Sequence, residues 1–79
     1  MTPEQKAAII SMFNVAVERE RKALDMLENP NPKISARGDS DSSFALGEQS
    51  GIDTVLRLLG YKLIKDDCDN AIDVEGENE

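Results

Sequence analysis

The chain has 79 residues, 32% of them charged and 4% aromatic, with a formal net charge of −7, one cysteine and no histidine. A lone thiol excludes an internal disulfide, and without histidine there is no imidazole base, no thiolate–imidazole pair and no histidine-ligated zinc. A domain this short buries only about 60% of its unfolded surface, so support from oligomerisation is expected.

No apolar run approaches the roughly 20 residues of a membrane span. The segment Met1-Thr2-Pro3-Glu4-Gln5 lacks the basic and apolar regions of a signal peptide. A soluble, cytoplasmic protein without a membrane partner is therefore expected. Residues 66–79 carry seven of the sixteen acids and no basic residue, so residues 1–65 balance nine acids against nine bases. No basic patch stands out for phosphate, which disfavours direct nucleic-acid binding.

The first predicted element is a helix over about 3–28. Thr2 suits the N-cap, Pro3 the first helical position, and Gln5 completes a T-x-x-Q capping box. Asn29-Pro30-Asn31-Pro32 should stop it. At ~100° per residue, Ile9, Ile10, Met12, Phe13, Ala16, Val17, Leu24 and Leu27 fall on one side, with Glu20 in their midst. Lys6, Glu18, Arg21, Lys22 and Asp25 form the outer face, where Glu18 and Lys22 have the favourable i,i+4 order.

Residues 29–41 read as a polar connection containing Arg37-Gly38-Asp39, a turn signal. Asp39-Ser40-Asp41-Ser42-Ser43 then offers N-caps for a second helix over about 42–60, closed by Gly60. That helix groups Phe44, Gly51, Ile52, Val55, Leu56 and Leu59, again with a glutamate, Glu48, among them. Ser43, Gly47 and Gly51 recur at four-residue spacing. Each glycine costs about 1 kcal/mol against alanine inside a helix, so close approach of another backbone is expected at Gly47 and Gly51.

Tyr61-Lys62-Leu63-Ile64-Lys65 is expected to be a short extended segment folding back over the hairpin. The acidic remainder, residues 66–79, should be a disordered tail. Asp67-Cys68-Asp69-Asn70 lacks the glycine and the closing glutamate of a calcium loop. The expected domains are thus a hairpin domain over 1–65 and a tail over 66–79.

Glu20 and Glu48 are the only candidates for chemistry. Unpaired, a buried carboxylate costs several kcal/mol, and at 1.5 Å per residue both lie at similar heights from the connecting loop. Three readings follow. Each sits at a seam edge, solvated or paired with Arg19, Arg57 or Lys22; or the two form a buried network fixing dimer register; or they hold Mg²⁺ or Mn²⁺. The helical E-x-x-E and E-x-x-D pairs of the all-α nucleotide pyrophosphohydrolases are not matched, since Glu48 and Asp53 are five apart and Arg21 stands three residues after Glu18, where the first pair needs an acid. No nucleophile–base pair or phosphate loop occurs, so neither catalytic residues nor a cofactor is expected.

The run Phe44-Ala45-Leu46-Gly47-Glu48-Gln49-Ser50-Gly51-Ile52, followed by Val55-Leu56-Arg57-Leu58-Leu59-Gly60-Tyr61, resembles small uncharacterised helical-hairpin proteins of bacterial and prophage genomes. The resemblance spans roughly residues 4–66 and implies a packing architecture, with no known activity. The expectation is therefore an all-α antiparallel helical hairpin that dimerises into a four-helix-bundle-like assembly. Its interface would involve Ile9, Phe13, Ala16, Glu20, Phe44, Gly47, Glu48, Gly51, Val55 and Leu59. Its role would be that of a non-enzymatic interaction module, with a second copy and an unidentified protein as partners. The alternatives are an acidic nucleic-acid mimic acting on a basic partner and a carboxylate-based metal-binding bundle.

Overall fold

The computed structural model describes residues 1–76. Helix α1 spans Pro3–Leu27 and helix α2 Pro32–Leu58, followed by strands β1 (Tyr61–Lys65) and β2 (Ala71–Gly76). The helices form an antiparallel hairpin, and the two strands pair antiparallel with each other. The whole measures 50 × 20 × 20 Å.

Helix α1 begins as expected. Thr2 accepts a hydrogen bond from the Gln5 amide while the Gln5 side chain accepts one from the Thr2 amide, the reciprocal capping box. The connection to α2 is much shorter than the sequence suggested. Helix α2 starts at Pro32 rather than near residue 42, with Asn31 as its N-cap accepting from the Lys33 amide. Pro32 occupies the first helical turn, where a missing N–H costs nothing. The predicted turn at Arg37-Gly38-Asp39 and the predicted caps at residues 39–43 are all helical interior. At the far end, Gly60 takes φ +84° just past the Leu59 C-cap and donates to the Arg57 carbonyl, as expected of a glycine C-cap.

The hairpin seam follows a four–three spacing on both helices. Helix α1 contributes Ile9, Phe13, Ala16, Glu20 and Ala23, and α2 contributes Gly38, Ser42, Ala45, Gln49, Ile52 and Leu56. Near the connecting loop the seam side chains are very small. A Cβ added at Gly38 would lie 2.6 Å from the Ala23 carbonyl oxygen and 2.8 Å from the Met26 Cβ. Close helix approach therefore occurs at Gly38. At Gly47 and Gly51, where it was expected, an added Cβ would meet nothing within 4 Å beyond its own stretch of helix.

The C-terminal segment corrects the all-α expectation. Residues 71–76 are not a disordered tail but strand β2, and the domain boundary placed at 65/66 falls inside a β-hairpin. The disorder expected for residues 77–79 lies outside the described residues. Asp66 organises the hairpin loop: its carboxylate accepts from the Cys68 and Asn70 amides, and its own amide donates to the Asn70 carbonyl. A register shift between Ile64 and Lys65 leaves Ile72 without a partner. That bulge lets Ala71 and Val74, three residues apart, both face inward.

The sheet lies along one side of the hairpin, from Met1 beside Tyr61 to Arg21 beside Cys68, and its apolar side chains gather toward the N-terminal end of α1. Phe13 and Val17 of α1, Leu56 of α2, Leu63 of β1, and Ala71 and Val74 of β2 form the core, flanked by Ile9, Ile10, Ile52 and Tyr61. Phe13 and Val74 are its largest fully buried side chains, each contributing about 1.5–3 kcal/mol relative to exposure. Asn14 fastens the sheet to α1. Its amide donates to the Ala71 carbonyl at 3.0 Å and accepts from the Ala71 N–H at 2.6 Å, as a neighbouring strand would. Arg21 adds a bond to the Cys68 carbonyl at 2.6 Å.

Candidate functional site

The two glutamates do not converge. Glu48 pairs with Arg19 across the seam edge at 3.3 Å, with both side chains partly exposed. Glu20 is half-buried and accepts from the Gln49 side chain at 3.3 Å, and that same Nε2 also donates to the Ala16 carbonyl at 3.3 Å. The Arg19 partner is one of those the seam-edge reading named for Glu48. Gln49, the partner of Glu20, was not anticipated. Among the described residues no group of three or more carboxylate, cysteine or histidine side chains is placed to hold a metal ion. Elsewhere Arg57 pairs with Asp53 at 3.2 Å, and Glu18 pairs with Arg21 at 3.7 Å rather than with Lys22.

The remaining candidate is a surface. With the sheet covering one side of the hairpin, the opposite side is open. There α1 presents Met12, Val15 and Arg19, and α2 presents Phe44, Glu48 and Val55. Toward the N-terminal end of α1, this face holds an apolar groove of about 440 Å³ lined chiefly by Ile9, Met12, Gly51, Ile52, Val55 and Leu59. Among the described residues Glu48 is the only ionisable side chain in its wall. Met12, Val55 and Leu59 are 62%, 55% and 65% exposed. Toward the connecting loop a second, more polar depression is lined by Arg19, Lys22, Ala23, Met26, Asp41 and Phe44. The Arg19–Glu48 pair sits between the two.

The residues expected at an interface thus separate into two sets. Ile9, Glu48, Gly51, Val55 and Leu59 line the groove, and Phe44 is exposed beside the second depression. Phe13 and Ala16 are covered within the chain itself, and Glu20 lies in the seam. Gly47 is exposed. Met12 was assigned to the helix's apolar side but not to the interface. Its signal is visible in the sequence: Met12, Arg19 and Met26 recur every seven residues, next to the stripe that forms the seam.

No helix among the described residues is long and apolar enough to cross a membrane. Comparison with known proteins finds no matching family model, no similar curated protein and no similar solved structure.

Proposed function

We propose that this protein is a small non-enzymatic interaction module that self-associates through the open apolar face of its helical hairpin. The observation that carries the reading is the groove of Met12, Val55 and Leu59. It is a concave apolar surface whose one wall carboxylate among the described residues already has a salt-bridge partner, and the N-terminal ammonium of Met1 at its edge donates to the Tyr61 hydroxyl. Such a surface suits docking rather than bond-making chemistry, which needs convergent polar groups.

Surface area supports a second copy as the occupant. The chain exposes 5536 Å², whereas a folded monomer of 8.7 kDa exposes about 4,700 Å² by the usual mass scaling. The surplus of roughly 800 Å² is close to what one partner contributes to an interface of standard size. An elongated rod of 50 × 20 × 20 Å exposes more area than a compact body of the same mass, and the open side of the hairpin is part of that area.

Sedimentation velocity across the micromolar range tests the reading. A concentration-dependent shift from monomer to dimer is expected, accompanied by a melting temperature that rises with protein concentration. A folded species that remains monomeric throughout would refute it.

A further inference from the structure

We infer that the two copies are related by a two-fold axis running along the length of the rod, so that Arg19 of each copy lies against Glu48 of the other. This inference rests on the self-association proposed above and specifies its geometry. Two faces that pack on each other about a two-fold axis lying in their interface have two simple choices. An axis along the rod places α1 of one copy over α2 of the other and keeps every residue at its own height. An axis across the rod places each helix over its own counterpart and reverses the heights.

Charge decides between them. The charged ends of Arg19 and Glu48 meet at one height, 3.3 Å apart, on the open side of the seam. With the axis along the rod, each arginine meets the opposing glutamate, and four charges alternate in sign around the centre of the bundle. With the axis across the rod and through that height, glutamate stacks on glutamate and arginine on arginine. Like charges placed opposite each other disfavour a complex strongly. Both axes leave every neighbouring helix pair antiparallel, as in an up–down four-helix bundle, so helix direction does not distinguish them and the charges do.

Shape agrees with charge. Gly38 sits against Ala23 and Met26, and thirteen residues farther along each antiparallel helix Gly51 comes to the height of residues 10–13, so Met12 and Gly51 share a height in the groove they both line. An axis along the rod brings Met12 of one copy over Gly51 of the other. Met12 is 62% exposed and flexible, and a Cβ built at Gly51 meets nothing within 4 Å. The side chain on one copy thus faces the gap on the other, and the symmetry repeats the match. The axis across the rod would instead bring Met12 toward Met26, seven residues from Arg19 on the other side.

Cross-linking tests the geometry directly. In a Cys68→Ser background, oxidising an equimolar mixture of Met12→Cys and Gly51→Cys chains should yield a disulfide-linked heterodimer. A mixture of Met12→Cys and Met26→Cys chains should not, because disulfides need Cα atoms closer than about 7 Å. Gly51→Leu, which fills the gap and favours the helix, should weaken dimerisation at least tenfold while circular dichroism shows an intact fold. If the 12–26 mixture cross-links and the 12–51 mixture does not, the axis along the rod is wrong although self-association stands. If wild-type protein dimerises but neither Gly51→Leu nor the 12–51 mixture responds, this geometry also fails. A strictly monomeric wild type would overturn both.

Discussion

Gly38 and Gly47 occupy the same helix yet should respond oppositely to the same substitution. A methyl group at Gly38 meets the Ala23 carbonyl oxygen and the Met26 Cβ at distances no Cβ tolerates, so Gly38→Ala must push the helices apart. Overpacking of this kind costs about 1–3 kcal/mol, and urea denaturation should show that loss. At Gly47 a Cβ meets nothing, so Gly47→Ala should gain about 0.5–1 kcal/mol by restricting the unfolded chain and favouring the helix. Equal effects at the two sites would contradict the seam described above. Glu20 offers a milder contrast. Glu20→Gln keeps an oxygen for the Gln49 amide, which retains the Ala16 carbonyl in any case. The substitution should therefore change stability by less than about 0.5 kcal/mol.

At the scale of elements, the helix boundaries that obeyed local rules were legible and the rest was not. The Thr2 cap, the stop near Glu28 and the Gly60 cap follow from residue type alone. Residue type alone does not place the start of α2, because Asn31-Pro32 suits the stop of one helix as well as the start of the next, with Asn at the N-cap and Pro after it. Residues 32–42 also carry only one large apolar side chain, the exposed Ile34, because the seam there needs Gly38 and Ser42 rather than leucines. Strand β2 was hidden by its bulge. Strict alternation puts Ala71 with Asp73 and Glu75, and only the unpaired Ile72 brings Ala71 and Val74 to the same face. Asn14 is what secures that strand. Asn14→Ala would strip the Ala71 N–H and carbonyl of their partner, a loss of about 1–3 kcal/mol that should coincide with faster amide exchange at Ala71. Unchanged exchange there would disprove the clamp. The strand also alters how the acidic segment can be probed. Deleting residues 66–79 would remove Val74 from the core, whereas Asp67→Asn with Asp69→Asn lowers the charge and keeps the turn. Asp69 has φ +64°, a conformation asparagine readily adopts. The double variant should stay within about 0.5 kcal/mol of the parent.

At the scale of the whole molecule, stability should be graded along the 50 Å rod. All large buried side chains sit toward the N-terminal end of α1, where Phe13, Val17, Leu56, Leu63 and Val74 come together. Toward the connecting loop the buried seam residues are Ala23, Gly38, Ser42 and Ala45, while Leu24, Leu27 and Ile34 remain more than a third exposed. Small side chains bring the backbones close but remove little apolar area from water, and burial free energy scales with that area. The loop end should therefore open locally without unfolding the core, as segments with few buried apolar contacts do. Native-state hydrogen exchange should find the amides of Phe13–Val17 opening only with global unfolding. Those of Ala23–Leu27 should exchange at least tenfold faster, a difference of about 1.4 kcal/mol. Dimerisation through the open face would cover both ends alike, so the gradient should persist at high protein concentration while overall protection rises. Equal protection at the two ends would mean that the close contact at Gly38 holds the hairpin as firmly as the sheet does, and the graded picture would be wrong.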